Sequence, residues 1–335
     1  MVSYKDIQRE TGLALSTISK YFNGHNVTEQ NRKAIETASA TLNFRPNGFA
    51  RNLRRRRSGA IGMLLPALDN EFHMSIVAGV ETVLRAMGMS VIVASSPTAE
   101  VDAVEVLLTH MVDGIIAVPS HHDIAPLKEA ARDLPVVTID WDPEDLAADG
   151  VVLDNVDAGA MAARNLIDHG HRHLALVGGD PAISTMRLRA RGFVEEAHRR
   201  GISIPDERLS ATPLTIGDAR VAVGRLLALH PRPTAVFCAN DRLTLGALIA
   251  INESGLRLGR DISMIGFDST DLAQSTVPRL TVIGQPMHEI ARQAAAFISA
   301  RLADTGDRPP ETKVVAPVLL PGGSVARVDE ELRAG

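Results

Sequence analysis

Thr11-Gly12-Leu13-Ala14-Leu15-Ser16-Thr17-Ile18-Ser19-Lys20 places a tight glycine break directly ahead of a short amphipathic run. Upstream, Ser3 with Asp6 three residues on is a helix N-cap signal, and Ile7 is the first apolar anchor behind it. Downstream, the spacing predicts a helix from about Ala14 to Phe22, stopped by Asn23-Gly24. A third helix opens at Thr28, a good N-cap, and runs through Ile35, Ala38 and Leu42. Two short helices joined by a glycine turn, backed by a third, form the helix-turn-helix pattern. In that arrangement the second helix enters the DNA major groove, leading with its N-terminal residues.

Working outward, Arg45-Pro46-Asn47-Gly48-Phe49-Ala50-Arg51-Asn52-Leu53 follows, and then four arginines, Arg54 to Arg57. Asn47 to Leu53 is too short to be a stable helix in water, and Gly48 weakens it further. It reads either as a basic linker or as a helix that forms only when something else orders it. The arginines read as an electrostatic clamp on phosphates rather than as base readers.

Charge divides the chain at the same place. Residues 1–58 hold 11 Lys/Arg against 4 Asp/Glu, and the remainder holds 24 against 36. A positive head on a negative body suggests a polyanion partner for the head alone. No apolar run approaches the 18 or so residues of a membrane span, and Met1 to Glu10 lacks the apolar core of a secretory signal. The single cysteine, Cys238, excludes an internal disulfide. The expectation is a cytoplasmic protein with no membrane partner. At 335 residues the chain should form two or three compact units.

Beyond residue 58, apolar runs alternate with amphipathic segments. Ile61 to Leu65, Val91 to Val93, Gly114 to Val118 and Pro135 to Ile139 read as buried strands, with helices near Met74 to Met87 and Val101 to Met111 between them. A second series begins near Asp157: a helix to Asp168, strand Leu174 to Val177, helix Arg187 to Arg200, strand Ala235 to Phe237, a helix to Asn252 and strand Met264 to Phe267. Alternating strands and helices predict an α/β fold with parallel sheets. Two such lobes would leave a cleft, with ligands at the carboxyl ends of the strands.

Tyr4-Lys5-Asp6-Ile7, Thr11-Gly12-Leu13-Ala14, Ser16-Thr17-Ile18-Ser19-Lys20, Asn23-Gly24, Val27-Thr28-Glu29 and Leu42-Asn43-Phe44-Arg45-Pro46-Asn47 together resemble the headpiece of the lac-repressor (LacI/GalR) family. The resemblance continues in Val177-Gly178-Gly179, Arg187 to Phe193, Ala239-Asn240-Asp241, Ile265-Gly266-Phe267-Asp268 and Gln285-Pro286, so it spans nearly the whole chain. It implies a helix-turn-helix headpiece at 1–46, a hinge helix and basic linker at 47–58, and a two-lobed periplasmic-binding-protein-like core at 59–335. The N-lobe would take about 59–155 and 285–312, the C-lobe about 156–284 and 313–331. Crossovers would fall near Asp154, Gly284 and Lys313.

The same resemblance implies site roles. Leu15, Ser16 and Lys20 would face base edges, while Thr17 and Ser19 would hold phosphate. Lysine can donate to guanine, serine pairs with several bases, and leucine packs on a thymine methyl. Asn47, Ala50, Arg51, Leu53 and Arg54 would form the hinge contacts, with Leu53 wedged into the minor groove. Ala14 departs from the family's serine cap, which removes roughly 1 kcal/mol of capping from the second helix. In the core, Arg189, Asn240 and Asp268 would hold a small-molecule effector, with Phe72 and His73 as cleft aromatics and Asp157 and Thr185 behind them. Trp141 reads either as a stacking surface for a sugar or as a loop anchor. Asn240 has a second reading as the cap of the next helix. Glu71 and His73 stand where the family commonly has Pro and Phe, making the pocket wall more polar.

Other signals are weaker. His169, His171 and His173 alternate, but no Cys or carboxylate cluster completes a metal shell. Gly178-Gly179-Asp180 is not a dinucleotide fingerprint, and no nucleophile elbow, zinc-protease or Walker motif is present. The expectation is therefore a DNA-binding regulator rather than an enzyme, with no cofactor or metal. A homodimer would repress from a palindromic double-stranded operator under control of a sugar or sugar derivative. A nucleobase or nucleoside is the second effector class, and a solute receptor without a DNA role is the competing function.

Overall fold

The computed structural model of the chain describes residues 2–22, 25–44, 58–141, 146–268, 270–303 and 308–328. The chain divides into two compact units between Ser58 and Gly59. The hinge residues Asn47, Ala50, Arg51, Leu53 and Arg54 lie outside the described residues, as does Asn23-Gly24.

The first unit holds helices α1 (Tyr4–Thr11), α2 (Leu15–Phe22) and α3 (Glu29–Thr41). Ser3 and Asp6 form a reciprocal capping box on α1, and Gly12, at φ +68°, closes it by donating its N–H to Gln8. Thr28 caps α3 through Asn31 N–H. Ala14 lies just before α2, and its carbonyl accepts from the N–H groups of Thr17 and Ile18. The helix thus starts one residue later than expected, without a side-chain cap from Ala14. Ile7, Ile18, Ile35 and Ala38 form the buried centre. So few aliphatics make a marginal core, and aromatics enlarge it: Tyr4 stacks on Phe22 at 5.3 Å, and Phe44 packs on both.

The second unit contains two lobes. The N-lobe sheet runs β1 (Ala60–Leu65), β2 (Ser90–Ser95), β3 (Gly114–Ala117), β4 (Val136–Ile139), β5 (Asp149–Leu153) and β11 (Thr312–Val315), in spatial order β11-β5-β4-β3-β1-β2, all parallel. The C-lobe sheet runs β6 (Leu174–Gly178), β7 (Leu209–Ala211), β8 (Ala235–Cys238), β9 (Ser263–Phe267), β10 (Thr281–Gly284) and β12 (Val318–Leu320), in order β12-β10-β9-β8-β6-β7. Only β12 pairs antiparallel among these described strands.

Helices cover both faces of each sheet. In the N-lobe, α4 (Glu71–Ala86) and α12 (Met287–Ala303) pack on one side, and α5 (Ala103–Thr109) and α6 (Ile124–Ala130) on the other. In the C-lobe, α7 (Asn155–Asp168) and α8 (Ser184–Arg199) cover one side. On the other lie α9 (Ile216–Leu227) and α10 (Asp241–Glu253), with α11 (Thr270–Ser275) beside them. Central strands such as β1, β3 and β9 are buried throughout, as parallel strands covered on both faces must be.

Sheet membership fixes the crossovers. The first follows Leu153 and the second follows Gly284. The third lies at Ala316-Pro317, past the expected Lys313, because β11 stays paired with β5 as far as Val315. Several helices also begin earlier than the apolar pattern indicated. Asn70 caps α4 at Glu71, three residues before Met74, because the cap rather than the first apolar residue sets the start.

Helices α7 and α8 approach unusually closely through two glycines. A Cβ on Gly159 would meet the Arg189 carbonyl, and one on Gly192 would meet the Val156 carbonyl, both at 1.9 Å. No side chain fits without moving a backbone. Gly192→Ala is therefore expected to destabilise the protein by at least the ~1–3 kcal/mol typical of overpacking, measured by urea unfolding of the full chain. An unchanged midpoint would mean the two helices are free to separate.

Candidate functional site

Two aspartates occupy matching places in the two lobes. Asp140 follows β4 and Asp268 follows β9, each the third strand in its sheet order. Each has a left-handed backbone, at φ 58° and 51° respectively. Each N–H donates to the neighbouring strand, Asp140 to Val151 and Asp268 to Ile283. Aspartate tolerates this conformation better than most residues, and such strain gathers at functional positions.

Arg189 lies between them. It is 2% exposed, and its position on α8 depends on the glycine packing against α7. Nε donates to Asn155 Oδ1 at 2.8 Å and Nη1 to the Ala239 carbonyl at 2.9 Å. Nη2 lies 4.0 Å from Asp140 Oδ2, and the guanidinium covers the Phe267 ring at 3.6 Å. Burial pulls the Arg189 pKa down, while Asp140, Asp268 and Asp241 push it back up. Arginine remains charged here, because its intrinsic pKa lies far above neutrality.

The carboxylates respond in the opposite direction. Burial raises the Asp140 pKa against the pull of Arg189, His73 and a hydrogen bond from Asn155. Burial lifts Asp268 to about 6, although Arg189 and two hydrogen bonds from Gln285 oppose it. Gln285 donates its backbone N–H to Oδ1 at 3.2 Å and its side-chain Nε2 to Oδ2 at 2.9 Å. Asp140 Oδ1, Gln285 Oε1 and Trp141 Nε1 are buried polar atoms with no hydrogen-bond partner. Unsatisfied buried groups are rare.

His73 sits at the start of α4, beside the core residue Phe72, with ring centroids 5.7 Å apart. Its Nδ1 is 3.0 Å from the Ala67 carbonyl, so Nδ1 carries the proton and Nε2 is left as an acceptor. Burial lowers its pKa, against the Ala67 hydrogen bond and the nearby carboxylates of Asp241, Asp140 and Asp69. At the cleft mouth the lobes touch: Arg242 donates to Asp69 at 2.8 Å, and Asn70 donates to Asp241 at 3.4 Å.

The sequence-derived residues separate into groups. Arg189, Asp268 and His73 gather with Asp140 and Asp241 in one electrostatic cluster. Asn240 follows its capping reading: Oδ1 accepts from the Arg242 N–H at 2.9 Å. Phe72 is buried in the N-lobe core, which leaves little ring surface for stacking. Thr185 lies one turn before Arg189 on α8 and is almost buried. Asp157 is paired with Arg164 at 2.6 Å along α7. Trp141 packs edge-on against His121 at 5.0 Å, directly after Asp140. Sequence reasoning gave no role to Asp140, Asn155 or Gln285. The signal for Asp140 was an apolar strand ending in aspartate, Thr138-Ile139-Asp140, matched by Gly266-Phe267-Asp268 in the other lobe.

The three alternating histidines have structural partners. His171 is held between Thr234 Oγ1 and the Ala326 carbonyl, His173 contacts Arg208, and His169 Nδ1 donates to the Asn165 carbonyl. In the first unit, Leu15, Ser16 and Lys20 are exposed on one side of α2, with Thr17 and Ser19 half-buried. Ile18, Tyr21 and Phe22 face the core.

The comparisons agree with this architecture. A family model for a periplasmic binding protein-like domain matches residues 163–325. The chain is 30% identical over 310 residues to the HTH-type transcriptional repressor PurR of Photobacterium profundum, covering 91% of this chain and 93% of that protein. It is similar in structure to the lac repressor dimer bound to operator and the anti-inducer ONPF, with TM-score 0.86, 25% identity and coverage of 97% and 99%. A LacI family transcriptional regulator from Enterococcus faecium with bound ribose aligns at TM-score 0.70 and 25% identity, covering 81% of this chain and all of that one. These relatives are regulators, not enzymes. With its helix-turn-helix unit and its two-lobed core, the chain belongs to the LacI/GalR family of transcriptional regulators.

Proposed function

We propose that the protein is a homodimeric repressor that reads a palindromic operator with α2 and is controlled by a sugar or sugar derivative in the interlobe cleft. The observation that carries the DNA reading is the division of α2, with Leu15, Ser16 and Lys20 outward and Ile18, Tyr21 and Phe22 in the core. Thr17 and Ser19 would set register on phosphates. Asn47 to Leu53 would order on DNA, with Ala50 facing the groove, Leu53 as the wedge, and Arg51 and Arg54 on phosphates.

The cleft supports the effector reading through its strand-end carboxylates and unsatisfied polar atoms. Structural similarity to a regulator with bound ribose favours a sugar. A flat nucleobase would want more stacking surface than the buried Phe72 leaves. The effector would act by favouring one lobe angle over another, and operator and effector affinities would then change by the same factor.

A second copy would cover the apolar N-lobe face around the edge strand β2. Val93 on β2 and Met74 on α4 are each 38% exposed, and Val93 points to the same side as Val91, which packs against the α4 cluster. Exposed apolar patches of this kind mark interaction surfaces.

Three measurements test these readings. Lys20→Ala is expected to weaken specific operator binding by ~1–3 kcal/mol and to relax preference at one base pair in a site-selection experiment. An unaltered base preference removes Lys20 from the readers. Met74→Glu with Val93→Glu is expected to convert the dimer to monomer in sedimentation, and an intact dimer would place the interface elsewhere.

The third concerns Asp268. Its folded pKa of about 6 lies above the ordinary 3.8, so its contribution favours folding below pH 3.8 and is lost as pH rises through 6. Asp268→Asn should therefore stabilise the ligand-free protein at pH 7 by up to on the order of 3 kcal/mol, and the gain should vanish near pH 4. A Gln285 amide flip lets Oε1 accept from the new amide. Urea unfolding across pH 4–7 reads this, and a pH-independent difference counts against a desolvated carboxyl. Effector response should be lost in the same variant.

A further inference from the structure

We propose that the interlobe cleft accepts an uncharged or cationic ligand rich in hydroxyl or N–H donors and rejects phosphorylated and carboxylated ligands. This rests on the reading of the cleft as the effector site and narrows its ligand class.

The donor and acceptor inventory is lopsided. The acceptors left unsatisfied are Asp140 Oδ1 and Gln285 Oε1, and His73 Nε2 is a third acceptor once Nδ1 serves Ala67. The donors are largely engaged. Arg189 gives Nε to Asn155 and Nη1 to Ala239, turns Nη2 towards Asp140, and is covered on one face by Phe267. Arg189 therefore does not present the open fork by which arginine grips a phosphate or carboxylate. Trp141 Nε1 is a buried donor without a partner among the described residues. These open acceptors favour a ligand that brings hydrogen-bond donors.

The charge count points the same way. Asp140, Asp241 and Asp268 surround the guanidinium of Arg189, and burial disfavours the charged form of the neighbouring His73. Arg242, where the lobes touch, is engaged with Asp69. Two helix N-termini where the lobes touch carry their own side-chain caps. Asn70 caps α4 through the His73 N–H, and Asn240 caps α10, whose first turn carries Asp241. An incoming anion would meet carboxylates in a partly desolvated space, where like charges repel strongly.

The test uses the full chain and ligand pairs that differ by one anionic group, at constant ionic strength. The pairs are a hexose and its 6-phosphate, a hexose and its uronic acid, and a nucleoside and its 5′-monophosphate, together with a hexosamine. Thermal shift and calorimetry should show the neutral or amine member binding, its anionic partner at least tenfold weaker, and Asp140→Asn, which removes a charge while keeping the side chain's shape, strengthening the binding of the anionic member. An anionic member that binds more tightly than its parent, and loses binding in Arg189→Ala, overturns the charge rule while leaving the cleft as the site. Neutral binding that Arg189→Ala and Asp268→Asn both leave unchanged overturns the cleft reading itself. Small molecules extracted from cells and divided on an anion exchanger give the same contrast without a chosen ligand. Protection by the unretained fraction is expected, protection by the retained fraction overturns the rule, and protection by neither removes the effector site on which it rests.

Discussion

A guanidinium 2% exposed to solvent is a demanding thing to build around. Isolated burial of a charge is prohibitive, so every neighbour of Arg189 has to answer it. Asn155 and the Ala239 carbonyl take hydrogen bonds, Phe267 offers its ring face, and Asp140 and Asp268 supply opposite charge from separate lobes. Gly159 and Gly192 let α8 sit close enough to α7 for that geometry to form. Much of the core is thus arranged around one side chain.

The first unit solves a different problem. It is too small to gain much from aliphatic burial, so it relies on a tight aromatic cluster and on well-made helix ends. Those interior demands take Ile18, Tyr21 and Phe22 from α2 and leave the other side of the helix free to carry recognition chemistry.

Legibility followed the range of the interactions. Helix caps at Ser3 and Thr28 and the buried strands were readable because their causes are local. Arg189 and Asp268 were singled out through motif resemblance, and they lie in one electrostatic cluster. Asp140 was not, since its role depends on an arginine forty-nine positions away in sequence that meets it only after both sheets form. The third crossover was misplaced because β11, Thr312 to Val315, is mostly exposed and carries Lys313, so it lacks the apolar signature of the interior strands. Asn240 shows the converse. A donor–acceptor side chain at a strand end suits a ligand, but it suits the first turn of α10 equally well, and the local backbone engages its oxygen.

The three crossovers have a mechanical consequence. Asp154 bonds to Val315, and Gly284 pairs with Val318, so the connecting segments run side by side rather than at opposite edges of the core. Connections gathered in this way resist shear and separation and leave rotation about their common line as the soft motion. Asn155 and Gln285, which hold Arg189 and Asp268, lie on or beside those connections. The cluster therefore sits near the axle. Were the effector to change how its groups are satisfied there, leverage alone would enlarge that change at the far ends of the lobes.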